Sequence, residues 1–174
     1  EVVFVTGPAE VPPPDGVEVV AVQSALEMEA AVQAALPVDA GVFAAAVADW
    51  RVASASDRKL KKSKDGLPVL EFAENPDILK TVSRMTEGRP PLVVGFAAET
   101  NDVVSYAKGK LDRKSLDLVI ANDVSDQSIG FNSEHNCVTL VRKNGLEPLP
   151  ADTKVALAKV LVERMHSQLK EKRS

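Results

Sequence analysis

The residues able to do chemistry lie in four short stretches. Residues 44–51, read AAAVADWR, take a run of small residues into a carboxylate, Asp49, and an aromatic, Trp50. In open parallel α/β sheets, ligands bind beyond the carboxyl ends of the strands, and alanines let a ligand approach the backbone. Asp49 is therefore either a ligand contact or an ordinary cap or turn residue. Lys59, Lys61, Lys62 and Lys64 crowd the polar segment 48–66, which is either a solvated flap or a functional loop. Asn75-Pro76-Asp77 has the order of a helix start, a cap followed by Pro at the first helical position, and the amide groups there can also meet a ligand. Lys110 and Lys114, four residues apart, share a helix face. There they either answer the helix dipole or contact an anion.

Strands and helices must alternate to position these stretches. Residues 2–6 form a buried-type apolar run, stopped by Gly7-Pro8 and a proline-rich loop, and residues 17–22 read as a second strand. Ser24 with Glu27 three residues on is a capping box opening a helix whose apolar side includes Leu26, Ala30, Val32 and Leu36. A third strand over 41–47 delivers the Asp49 stretch. A short strand over 67–72 precedes a helix over 75–84. A strand over 91–96 ends in Ala97-Ala98-Glu99-Thr100, with the same small-residue texture as the Asp49 stretch, so two strand ends offer two walls of one crevice. A helix over 101–113 and a strand over 116–121 follow. Residues 137–142 and 146–149 flank Asn144-Gly145 as a hairpin, and residues 151–170 form a terminal helix with Val155, Ala158, Val162, Met165 and Leu169 on one side. This order predicts an α/β fold: a doubly wound, mostly parallel, Rossmann-like sheet with a C-terminal antiparallel hairpin and terminal helix.

Composition narrows the function. A chain of 174 residues suits a single domain, and a net charge of −4 with seven aromatics (five Phe, Trp50 and Tyr106) argues against nucleic acid as a partner. Cys137 is the only cysteine and His135 and His166 the only histidines, so neither an intrachain disulfide nor a zinc-type cluster is expected. Cys137 lies in the apolar run 137–141 and reads as a buried structural thiol. No apolar run approaches the roughly 20 residues that span a bilayer, and the compartment expected is the cytoplasm. Neither GxGxxG nor GxxxxGK occurs. The chain opens on Glu1 directly into a strand and reads as the continuation of something longer.

The motifs AAAVADWR (44–51), KLKK (59–62), NPDIL (75–79), VGFAAET (94–100), LDRKSLD (111–117), ANDVS (121–125) and GFNS (130–133), taken in order, resemble bacterial phosphopantothenate–cysteine ligase. That enzyme is commonly the C-terminal half of a bifunctional flavoprotein of coenzyme A synthesis. The resemblance implies that CTP activates the carboxylate of 4′-phosphopantothenate as an acyl-cytidylate, with Mg²⁺ bridging phosphates, before the amine of cysteine displaces CMP. FMN is implied only if a decarboxylase domain precedes this chain. By the family pattern Lys59, on a mobile flap, is the catalytic residue, stabilising charge at the reacting phosphate. The implied nucleotide contacts are Phe43, Ala44, Ala45, Asp49, Lys59, Asn75, Pro76, Asp77, Ile78, Phe96 as an aromatic wall, Lys110 and Lys114. No protein residue is implied as a permanent metal ligand. A homodimer is implied, the partner completing the substrate pocket.

The chain departs from this pattern at its start. The family places a further strand, a Ser- and Gly-rich loop and a helix before the segment equivalent to residues 2–6, and that part carries an Asn that handles the acyl-cytidylate. The expectation is a single ligase domain, residues 1–174, lacking that strand, loop and helix. The alternative is a non-catalytic nucleotide-binding or assembly module.

Overall fold

The computed structural model describes residues 1–54, 69–125 and 133–173. The chain divides into two compact units, Glu1–Ala34 with Ala45–Asp77, and Ala35–Ala44 with Ile78–Ser174.

In the first unit, β1 (Val3–Thr6) pairs in parallel with β2 (Glu18–Ala21), Val3 opposite Glu18 and Thr6 opposite Ala21. Helix α1 (Ala25–Ala35) begins as its capping box requires. The Ser24 Oγ accepts from the Glu27 amide at 3.2 Å, and the Glu27 carboxylate accepts from the Gln23 amide at 2.8 Å. The Gln23 amide, then the Ser24 hydroxyl, hold the Glu27 carboxyl below its ordinary value. The apolar side expected for this helix is not buried: Leu26 and Ala30 are exposed, and α1 contains no buried residue. Short strands β4 (Trp50–Val52) and β5 (Phe72–Glu74) pair antiparallel, Val52 opposite Phe72. Sequence reading placed residues 50–52 in a loop and the partner strand at 67–72. The ladder is instead continued by backbone bonds from Ala53 to Glu71 and from Asn75 to Asp49, each 2.8 Å, which set the register.

The second unit carries a five-stranded sheet in the order β3-β6-β7-β8-β9. Strands β3 (Ala40–Phe43), β6 (Leu92–Glu99) and β7 (Leu118–Asp123) are parallel, and β8 (His135–Arg142) and β9 (Gly145–Thr153) form the antiparallel end. Val93, Ala97, Val119 and Ala121 face Leu79 of α2 (Ile78–Ser83) and Ala107 and Leu111 of α3 (Val103–Arg113). Leu92, Val94, Leu118 and Ile120 face Leu161 of α4 (Lys154–Arg173), with Met165 and Leu169 packed alongside. Both faces of β6 and β7 are thus covered, which is why their sequences are continuous apolar runs without alternation. The fold is the mixed α/β sheet expected, with its antiparallel hairpin and terminal helix.

Several boundaries move. The third strand stops at Phe43: β3 pairs with β6 only as far as Gly95, so residues 44–48 have no ladder partner and are not a strand. Strand β6 runs on through Ala97, Ala98 and Glu99 because β7 continues beside it to Asp123, beyond the expected end at residue 121. Lys143 and Asn144 make the hairpin turn, while Gly145 already pairs with Arg142. Cys137 is half-buried, at a register irregularity between Asn136 and Val138. Helix α4 begins at Lys154 because β9 keeps residues 151–153, and the Thr153 hydroxyl caps the Ala156 amide at 3.2 Å. Its buried residues are Leu157 and Leu161, with Met165 partly buried one turn on, whereas Val155 and Val162 of the expected stripe face solvent.

Ion pairs tie α4 to the sheet. Glu147 of β9 takes Arg164 of α4 at 2.6 Å and Arg142 of β8 at 3.0 Å, and the Arg164 hydrogen bond above all holds its carboxyl below the ordinary 4.5. A carboxyl depressed on folding stabilises the fold above its unfolded value, and that contribution is lost as pH falls through the folded value. Glu147→Gln is expected to lower the melting temperature by roughly 1–4 °C near pH 7, as befits a partly exposed network. Melting curves from pH 7 to pH 3 should show the gap closing below the ordinary carboxyl value of 4.5. A gap unchanged at pH 3 would remove Glu147 from the acid response.

Candidate functional site

In the second unit, register places the expected contacts Phe43 and Phe96 on neighbouring strands. Phe43, the last residue of β3, lies opposite Gly95, and Phe96 is the next residue of β6. The Phe96 ring is partly buried against the cluster of Leu118, Ile120 and Leu161, and its carbonyl accepts a hydrogen bond from Lys110 Nζ. Lys110 reaches it from α3 by passing over Gly95, where an added Cβ would lie 4.0 Å from the lysine Cε and only 3.0 Å from side-chain carbons of Leu79 and Leu116. Glycine at position 95 is therefore what lets Leu79 of α2 and Leu116 pack closely on the strand. Lys114 caps α3, one turn farther from the carboxyl end of β6, and its carbonyl accepts from the Ser83 hydroxyl. Ile78 is buried as the first residue of α2 and serves the core, and Ala44 is exposed immediately after β3.

In the first unit, the end of the β4–β5 ribbon gathers Asp49 and Asn75. Asn75 is not the helix cap expected, because α2 begins only at Ile78. Its amide and side chain are used elsewhere. The backbone N–H donates to the Asp49 carbonyl at 2.8 Å, and Nδ2 donates to the Ala48 carbonyl, also at 2.8 Å. Asp49 is exposed, and its carboxylate makes no hydrogen bond or ion pair among the described residues. Pro76 and Asp77 carry the chain from this clamp to α2, and Ala45 is exposed in the non-strand segment. Lys59, with the rest of the KLKK run, lies outside the described residues.

Arg51 was not singled out in the sequence. Its Nη1 donates to the Glu74 carbonyl and stands 3.5 Å from Asn75 Oδ1. The only local signal is its place two residues beyond Asp49, hence on the same side of an extended strand. Its role depends on a partner strand more than twenty residues away. No group of three or more His, Cys, Asp or Glu side chains suited to a metal ion occurs among the described residues. No helix among them is long and apolar enough to cross a membrane.

In the second unit the Lys110 ammonium lies on the Phe96 carbonyl, and in the first unit the exposed Asp49 carboxylate has no partner among the described residues. The model of the DNA/pantothenate metabolism flavoprotein C-terminal domain matches residues 1–169. The coenzyme A biosynthesis bifunctional protein CoaBC of Vibrio cholerae serotype O1 is 45% identical over 171 residues, 97% of this chain and 43% of the relative. That of Escherichia coli K12 is 43% identical over 175 residues, 98% of this chain and 43% of the relative. The chain therefore spans less than half the length of these relatives. The crystal structure of the C-terminal domain of CoaBC superposes with a TM-score of 0.77 at 34% identity, covering 98% of this chain and 76% of that one. By this match along nearly its whole length, the chain belongs to the DNA/pantothenate metabolism flavoprotein C-terminal domain family.

Proposed function

We propose that the chain is the ligase part of a coenzyme A biosynthesis protein, joining 4′-phosphopantothenate to cysteine at the expense of CTP. The observation that carries this reading is the match over residues 1–169, supported by relatives above 40% identity whose names place them in coenzyme A biosynthesis. All 174 residues are assigned to this one ligase domain. It is a cytoplasmic enzyme with no nucleic-acid or membrane partner.

The reaction has two displacements. An oxygen of the phosphopantothenate carboxylate attacks the α-phosphorus of CTP, and pyrophosphate leaves. The cysteine amine then attacks the acyl carbon, its C–O bond to the nucleotide breaks, CMP leaves and an amide remains after loss of a proton. Both steps concentrate negative charge, so cations and backbone donors must be in place beforehand. Lys59 is assigned to the charge at the reacting phosphate, and Lys110 and Lys114 to phosphate contacts as point charges. Phe43, Ala44, Ala45 and Asp49, together with Asn75, Pro76, Asp77, Ile78 and Phe96, are assigned to the nucleotide. The backbone of Phe96 is its nearer contribution, because its ring is partly buried. Mg²⁺ would arrive on the triphosphate, keeping waters and touching at most one or two carboxylates. Asp49 is the candidate carboxylate.

The working form is proposed to be a homodimer. In support, one face of the β4–β5 ribbon exposes Trp50 and Phe72, with Leu70 exposed in the adjoining segment, an apolar set that a second copy would cover. The function is tested by incubating the full-length protein with CTP, Mg²⁺ and phosphopantothenate, with and without cysteine. Amide formation and CMP release that depend on cysteine are expected. Their absence would overturn the proposal.

A further inference from the structure

We propose that Arg51 is a positioning residue for nucleotide binding, acting through the side-chain amide of Asn75; this rests on the function proposed above. Arg51 is half-buried, and among the described residues its guanidinium makes no ion pair. It is spent on uncharged acceptors, the Glu74 carbonyl and, at 3.5 Å, Asn75 Oδ1. Asn75 holds the opposite end of its amide, Nδ2, on the Ala48 carbonyl at 2.8 Å. A side-chain amide has one accepting and one donating end. Turned over, it would set its NH₂ against a cation and its oxygen against a carbonyl, two repulsive contacts in place of two attractive ones. Arg51 therefore fixes which way the amide faces.

That orientation is what ties residues 48 and 49 down. The Ala48 carbonyl is held by the Asn75 side chain and the Asp49 carbonyl by the Asn75 backbone, so consecutive peptide units before β4 are clamped to the residue that follows β5. The Asp49 carboxylate, which has no partner of its own among the described residues, projects from the backbone that this clamp holds. Among the described residues Arg51 does not touch that carboxylate; it acts through Asn75. Its effect is to spare the ligand the cost of ordering Asp49 and Asn75 together.

Steady-state kinetics of the full-length protein test this. Arg51→Gln is expected to raise the KM for CTP about tenfold, the weight of one lost charged hydrogen bond, with the KM for cysteine unchanged. Arg51→Lys should recover only part of the loss, since the shorter lysine side chain carries its nitrogen less far toward the two acceptors that Nη1 meets. In an Asn75→Ala background, Arg51→Gln should add nothing further, because the group it acts through is gone. Additive effects of the two substitutions, or an unchanged KM for CTP in Arg51→Gln, would overturn the role. So would a parallel rise in every KM together with a lowered melting temperature, which marks a general folding defect. Absence of CTP turnover by the unsubstituted protein would instead overturn the function proposed above, and this role with it.

Discussion

Lys59→Ala is expected to lower the rate of CTP-dependent ligation by about 10²–10³-fold while CTP binding changes little. The reasoning is differential. A lysine that contacts only the bound triphosphate strengthens ground state and transition state alike, and its loss raises KM. A lysine that meets charge developing at the α-phosphorus acts in the transition state, and its loss lowers kcat. Residues 59–64 also hold Lys61, Lys62 and Lys64, so general positive charge survives the substitution. Lys62→Ala is the matched control and should leave kcat within about threefold, since one lysine among several adds little to the local field. Equal effects of the two substitutions would reduce the run to a diffuse basic patch. Normal turnover by Lys59→Ala would remove it from the mechanism.

The second large effect is on stability. Ile120 is fully buried at the centre of β7, opposite Phe96 of β6 and Leu140 of β8, and packs in the cluster that Leu161 of α4 covers. Truncation to Ala removes three carbons where neighbours on two strands and a helix cannot all relax, a cost of about 2–5 kcal/mol. Against a typical total of roughly 5–15 kcal/mol, that is a large fraction. Thermal unfolding should shift down by about 10 °C. Val155→Ala, at a position 69% exposed on α4, should change stability by no more than about 0.5 kcal/mol. Comparable losses at the two positions would mean that the buried face of α4 has been misidentified.

That pair also marks where sequence reading succeeds and fails. Strands β6 and β7 were legible because a strand covered on both faces leaves an uninterrupted apolar run, and the capping box at Ser24 and Glu27 was legible because it is local. The face of α4 was not. Val155, Leu157, Leu161 and Val162 are all apolar, and only the position of the sheet decides that Leu157 and Leu161 are buried. The β4–β5 ribbon failed for the related reason that three-residue strands carry too little pattern to announce pairing across a long intervening segment. For the candidate contacts, motif order singled out Asp49, Asn75, Phe96 and Lys110. It could not show that the Asn75 side chain is tied to Ala48, that the Phe96 ring packs inward, or that Lys110 folds onto the Phe96 carbonyl. Each of these depends on a contact distant in sequence. Arg51 went unread for the same cause.

The central claim is that the carboxylate itself attacks the α-phosphorus of CTP. Phosphopantothenate labelled with ¹⁸O in its carboxylate tests it most directly, by mass analysis of the nucleotide released when cysteine is present. One carboxylate oxygen should appear in CMP, because the acyl C–O bond breaks while the new P–O bond stays. Label found instead in inorganic phosphate, or absent from CMP, would contradict the acyl-cytidylate and the assignment of Lys59 to its formation.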